Sequence, residues 1–563
     1  MSTIRFLLLT TLLFTALTAV MTYPQVLHMR DAVHDDGDPL LNAWTLAWVA
    51  HQLPRAPGHL FDANIFYPER GTLAFSETLL APAVVAAPLR WVGAGPILVH
   101  NVVLLSGFVL SGVGMALLAR TLTGCTSASV LAGLVFAFLP YRIGHYAHLQ
   151  LQQTECLPLV FWSFHRLLRT GRFRDGAWLG VFTAGQVLSC VYYGLFLIPY
   201  IAIVGGVVIA HRNRVGPGID HPRRPGLSRI AAALAVAAAI ATIVAFPLAG
   251  AYHDARRVVG DRAQTEVMDG SATWRNYLGA PPENAVYGRL LARFGGPERQ
   301  LFPGFIAIAL AVLALIPLGR RSTPIERWAY LIGLVFAIDA SLGFNGLSYP
   351  VLYDWVVPFR ALRIPARIGM FVGFSLAVLT AYGAARVLEH IESIAIRRAA
   401  AILIATLILT ECASRPIPLQ PIPRPVPEVY ADLVRDGSRD AAIVEYPMSH
   451  KDDPTYMYYS TFHWRPLVNG YSGFFPPSYS QMVASLASFP DQESIDAITS
   501  HGVRYLLVHE ERMIGKRYSR VLAELDRRTD LALISRRAGE RYGQHGEISL
   551  YRVVNARPFA DGH

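Results

Sequence analysis

The chain has 563 residues, of which 53% are hydrophobic and 16% charged, against about 25% charged in an ordinary soluble domain. Those numbers argue against one soluble globular enzyme, and against disorder, a disulfide-stapled secreted fold or a collagen-like fibre. The formal charge of +10 comes almost wholly from arginine, with Lys451 and Lys516 the only lysines; the arginines sit in short loops between apolar runs, where they set topology, so no nucleic-acid partner is expected.

Apolar runs at residues 4–20, 102–118, 230–248, 305–318 and 400–409 approach or reach the roughly 20 residues that cross a bilayer as a helix. In chain order the pattern predicts about eleven spans, at residues 5–22, 97–119, 128–140, 153–168, 177–190, 192–210, 229–247, 302–318, 328–342, 367–385 and 398–413. The stretch 79–92 is short for a span and reads as a tilted or re-entrant helix. The first helix resembles a signal peptide, with Arg5 ahead of its apolar region, yet when retained it completes the charge pattern.

Loops 166–174, 212–229, 320–327 and 386–398 carry four, five, three and three arginines, which places them on the cytoplasmic side. The N-terminus is then inside, while residues 23–94, 141–153, 252–301 and 343–366 and everything after Ser414 lie outside. Cys125, Cys156, Cys190 and Cys412 are widely spaced without a CxxC pattern, so neither a disulfide framework nor a cysteine metal site is expected.

The expected division is a membrane domain over 1–414 with a first outer loop at 23–94, a proline-rich spacer at 415–427, and an outer domain at 428–563. Strands are predicted at 441–446, 503–509 and 548–553, and helices at 479–487, 492–500 and 517–527. The fold class is therefore an α-helical polytopic membrane protein with a small C-terminal α/β domain outside the cytoplasm. The aromatic loop 469–479, Asn-Gly-Tyr-Ser-Gly-Phe-Phe-Pro-Pro-Ser-Tyr, is too apolar to be freely solvated; it packs on the membrane domain or its lipid interface, or is ordinary core.

Ionisable residues near a membrane are costly and carry functional hypotheses. The first group is Asp35, Asp36 and Asp38 in His34-Asp-Asp-Gly-Asp-Pro39. Crowded carboxylates raise one another's basicity or attract a divalent cation, magnesium or manganese, which makes Asp38 and then Asp36 the candidate catalytic base and tentative metal ligands. The structural alternative is a helix start, with Asp38 as cap and Pro39 in the first turn.

Glu77, and less so Glu69, are candidates to line the same site from further along the loop. His145 and His148, three apart and next to Arg142, could form a rim that binds phosphate or sugar hydroxyls; interfacial anchoring by Tyr141, Arg142 and Tyr146 is the plainer reading. Arg360, Arg363 and Arg367 form a cluster on the side where topology does not call for positive charge, so an anion such as a phosphate is the economical explanation, against contact with bilayer headgroups.

Together these residues and spans resemble the GT-C-fold integral membrane glycosyltransferases, over about residues 1–415; the segment 360–367 and the loop 469–479 are also similar to stretches of YfhO-like bacterial membrane proteins. The resemblance implies a hexosyl- or pentosyltransferase in a bacterial cytoplasmic membrane. Such an enzyme takes a polyprenyl-phosphate-linked sugar donor and an extracytoplasmic glycan, lipid or protein acceptor, with membrane lipids around it. It also implies that an acidic residue of the first outer loop, matched here by Asp36-Gly37-Asp38, is the base or a metal ligand. No WWDYG-type motif of oligosaccharyltransferases is present. Two other classes remain open. One is a lipid-linked saccharide transporter or flippase, which would need more polar residues deep in the spans than Glu155 and Asp339 provide. The other is a non-catalytic assembly protein on the same scaffold.

Overall fold

The computed structural model describes residues 2–215, 225–316, 324–422, 426–437, 440–513, 517–541 and 544–554. Parts of the arginine loops (216–224 and 320–323), the end of the predicted span 302–318 and residues 423–425 of the spacer lie outside them. The chain forms two compact units: Met1–Leu27, Val102–Pro247 and Asp261–Ile417 make the first, and His28–Asn101, Leu248–Gly260 and Pro418–His563 the second. These units cut the chain differently from the linear boundaries at 414 and 427, because the first outer loop packs with the C-terminal part.

The chain is a multi-pass membrane protein. Among the described residues six helical stretches are long and apolar enough to cross a bilayer: Thr3–Met21, Pro96–Thr123, Thr126–Gly144, Val191–Arg212, Leu227–Val259 and Pro365–Glu389. The other five predicted spans coincide with helices Cys156–Thr170, Phe173–Ser189, Phe305–Leu315, Ile325–Ser341 and Ile394–Cys412, whose 11 to 19 residues do not meet that criterion.

Sequence spacing explains how the first unit packs. Helix Thr3–Met21 buries Phe6, Thr10, Phe14 and Thr18, every fourth residue, and leaves Ile4, Leu8, Leu12 and Val20 exposed, an apolar outer face suited to lipid tails. Helix Gly369–Glu389 is buried along nearly its whole length and packs on helices Phe305–Leu315, Thr126–Phe138 and Ile325–Ser341. Gly383 permits the closest of these approaches, since a β-carbon there would overlap the Leu310 carbonyl.

In the second unit, helix Asp38–Gln52 is buried on all sides from Pro39 to Ala50, so it is the unit's core helix rather than an amphipathic one. It packs on helices Leu80–Trp91 and Asp453–Ser460. Strands β1 (Ala32–Val33) and β2 (Gln420–Pro421) pair antiparallel, and the Ile422 amide donates to the Asp31 carbonyl at 2.7 Å; the spacer is therefore tied down here instead of running free.

Strands β3 (Ala442–Tyr446), β4 (Val503–His509), β5 (Leu531–Arg541) and β6 (Gln544–Val553) form a sheet of order β3-β4-β6-β5. Its β3–β4 pair is parallel, with Val444 opposite Leu506, and the rest is antiparallel, with Leu507 opposite Leu550. Strand β5 and helices Val429–Arg435 and Asp453–Ser460 are additional to those predicted.

Candidate functional site

Two constellations hold the predicted residues, one in each unit. In the second unit, strand pairing fixes the chain just before the acidic loop, where Val33 pairs with Gln420 and the His34 ring lies 3.0 Å from the Pro418 carbonyl. Asp35 Oδ1 accepts from the Gly37 amide at 2.9 Å, closing the turn. Gly37 is the N-cap and Asp38 the first helical residue, and no side chain caps the helix. The capping role open to Asp38 is thus not the one it takes. Its Oδ1 accepts instead from the Tyr471 hydroxyl at 2.9 Å, and the helix N-terminus beneath favours an anion.

Tyr471 belongs to the aromatic loop, which is core of this unit. Phe66 meets Phe475 and Tyr479 edge-on, with ring centroids 5.8 and 5.4 Å away. The Phe66 amide donates to the Asn469 carbonyl at 3.2 Å, and the Phe474 amide to that of Phe75 at 3.0 Å. Ser478 donates to Glu69 at 2.7 Å. Within ten residues the loop therefore holds the Asp38 carboxylate, Glu69 and the backbone leading to the half-buried Glu77. Just before Glu77, the Ser76 carbonyl accepts from the Tyr252 hydroxyl at 2.6 Å.

Beneath the loop, buried Asp453 accepts from Asn469 at 2.9 Å and from Tyr479 at 2.7 Å. Burial pushes its carboxyl up to about 7 in spite of those bonds. Among the described residues no group of three or more His, Cys, Asp or Glu side chains is arranged to hold a metal ion.

In the first unit, four predicted residues lie around two short segments. Arg142 is fully buried; it donates to the Gln152 side chain at 3.1 Å, the Gln152 carbonyl at 2.8 Å and Thr154 at 3.2 Å, and lies over the Phe108 ring. It clamps the 142–154 loop and faces neither solvent nor an interface. His145 and His148 each place Nε2 at 3.1 Å from a different oxygen of Glu298. Arg367 grips the same carboxylate in a fork, at 2.6 Å through Nη2 and 3.1 Å through Nε.

The anion that Arg367 meets is thus Glu298, a residue the sequence reading passed over because it lies more than a hundred positions from the histidines. Its backbone sits at φ 61°, a region a non-glycine residue occupies only under constraint. Burial would raise its carboxyl, but Arg367, His148 and His145 hold it well below the usual carboxylate range.

Beside this cluster, the Arg363 amide donates to the Tyr192 hydroxyl at 2.9 Å, and Arg367 stacks over the Tyr192 ring at 4.7 Å. Arg262, a second residue missed from sequence, pairs with Glu266 at 3.3 Å. Burial lowers its guanidinium pKa and the like charge of Arg363 adds to this, against Tyr192 and Glu266. Arg363 is exposed. Arg360 donates to the Tyr353 carbonyl at 3.2 Å and the Asp354 carbonyl at 2.9 Å.

No family model matches the chain, and no curated protein sequence does. Among solved structures, the arabinofuranosyltransferase AftD from Mycobacteria superposes with a TM-score of 0.64 over 99% of this chain at 14% identity. A substituted form of the same enzyme gives 0.61 over 98% at 13% identity. This chain spans 40% of the length of the first and 42% of the second. The fold is that of the GT-C membrane glycosyltransferases.

Proposed function

We propose that this protein is a membrane glycosyltransferase that moves a sugar from a polyprenyl-phosphate donor to an acceptor hydroxyl outside the cytoplasmic membrane, with Asp38 as general base. The observation that carries this reading is the Asp38 carboxylate itself. It stands at the mouth of a wholly buried helix, is not used as a cap, and is fixed in orientation by Tyr471 through Oδ1. A base so held keeps one geometry through the reaction. Asp38 takes the hydroxyl proton as the acceptor oxygen bonds to the anomeric carbon, and the bond from that carbon to the phosphate oxygen breaks with its electron pair leaving on the phosphate. Asp36 is the alternative base in the same turn, and Glu77 a further carboxylate proposed to line the site.

Arg363, exposed in the first unit and electrostatically coupled to Arg262, is proposed to bind the lipid phosphate. The proposed topology keeps eleven spans, with the N-terminus inside. It is supported by the convergence of His145 and Glu298, from two segments that arginine counting puts on one outer side, with Arg367 at the outer end of a predicted span.

The test is transfer of labelled sugar from a panel of polyprenyl-phosphate donors by purified protein. Wild type, Asp38→Asn and Arg363→Ala are compared with and without EDTA. Transfer that collapses in Asp38→Asn at normal membrane abundance supports the assignment. Full activity in that variant, or no donor consumed by wild type, rejects it, and retained activity in EDTA would agree with a base that needs no cation.

A further inference from the structure

We propose that the second unit also carries a binding site for a neutral glycan chain, at the C-terminal end of the Asp38–Gln52 helix and apart from the acidic loop. A cavity of about 1360 Å³ lies there, walled by that helix, residues 62–70 and residues 462–466. At the helical rise, His51 is ~20 Å along the axis from Asp38, so the two places are distinct. The volume exceeds the roughly 300–1,000 Å³ of a pocket for one small molecule, and fits an oligosaccharide better than a single sugar.

The wall has the chemistry of a sugar platform. His51 and Trp464 stack with centroids 4.3 Å apart, and Trp48 meets Trp464 at 5.7 Å. Trp48 is pinned by its ring N–H to the Leu60 carbonyl at 2.8 Å. Trp464 is only half-buried and has φ 54°, a left-handed backbone that a bulky residue adopts only where its surroundings enforce it. Those surroundings are buried Arg465 and His463, the Arg465 amide donating to His463 Nδ1 at 3.1 Å.

An open aromatic face takes the C–H face of a sugar ring, and carboxylates such as Asp62 and Glu69 at its side accept from hydroxyls. Three arginines line the cavity with three carboxylates; their formal charges cancel, so the site is not built for a polyanion.

Binding can be read without any transfer, and only the further statement that the chain bound here is an acceptor or product rests on the reading above. The full-length protein in nanodiscs would be titrated with soluble neutral oligosaccharides of one to eight sugars, from glucan, mannan, galactan and arabinan. Polyphosphate and heparin fragments form the anionic arm, and heat of binding and tryptophan fluorescence are the readouts. The expected result is saturable binding of at least one neutral series, tighter with length and insensitive to salt. Trp464→Ala should weaken it by about tenfold or more, Trp464→Phe should largely restore it, and Asp38→Asn should leave it unchanged even if transfer is lost. No saturable neutral ligand, preference for the anionic arm, or equal affinity in folded Trp464→Ala overturns the proposal.

Discussion

Replacing Glu298 by glutamine removes the charge of a carboxylate that meets one guanidinium and two imidazole rings. The guanidinium of Arg367, 6% exposed, donates twice to it, and the His145 and His148 rings, the first at 0% exposure, each lie 3.1 Å from an oxygen. Losing one member of a buried pair costs about 3–5 kcal/mol, because the other charge stays buried without compensation. Detergent-driven unfolding in mixed micelles, followed by tryptophan fluorescence, should show Glu298→Gln destabilised by that amount. The double variant Glu298→Leu with Arg367→Met should recover most of the loss, since apolar packing replaces the pair.

The pH dependence carries a definite sign. The Glu298 carboxyl is held below its ordinary value, so its stabilisation is present above the ordinary carboxylate range of about 4 and fades only as pH falls through the lower, folded value. The gap between wild type and Glu298→Gln should therefore hold steady from pH 5 to neutrality as far as Glu298 sets it, and close in stronger acid. A Glu298→Gln protein within about 0.5 kcal/mol of wild type, the usual range for surface changes, would refute the reasoning that this cluster orders its three segments.

Tyr471→Phe removes the hydroxyl that orients Asp38; stability should fall by about 1 kcal/mol, while transfer should fall more steeply in kcat than in KM, and an unchanged kcat would detach Tyr471 from the chemistry. Gly383→Ala places a methyl on the Leu310 carbonyl and should cost about 1–3 kcal/mol of membrane-domain stability, read as a lower detergent unfolding midpoint; an unchanged midpoint contradicts the close helix approach. His509, fully buried between Glu445 at 2.7 Å and Glu511 at 2.9 Å, would be lowered by burial but is raised by those carboxylates to about 9. Its stabilisation is complete below about 6.5 and lost as pH rises through 9, so the unfolding midpoints of wild type and His509→Gln should converge between pH 7 and 10.

Sequence alone determined the parts governed by local composition. Hydropathy placed a helix at every predicted span, because a bilayer imposes length and apolarity residue by residue. Alternation found β3, β4 and β6, while β5, with Arg536, Arg537, Glu540 and Arg541 in its run, has too little apolar pattern to read as a strand and is formed by pairing with β6. The acidic turn at Asp38 was visible as a motif, and its partner was not, since Tyr471 lies 433 residues away.

Only the tertiary structure decided which charges meet. The histidines at 145 and 148 and the arginine at 367 are legible as polar groups, but the carboxylate they share comes from Glu298, in a Gly-Gly-Pro-Glu turn that carries no local signal. The same holds for the Trp48, His51 and Trp464 platform, built from two segments more than four hundred residues apart. Contacts of this range are set by which helix ends and loops the packed core brings together, and no periodicity along the chain encodes them.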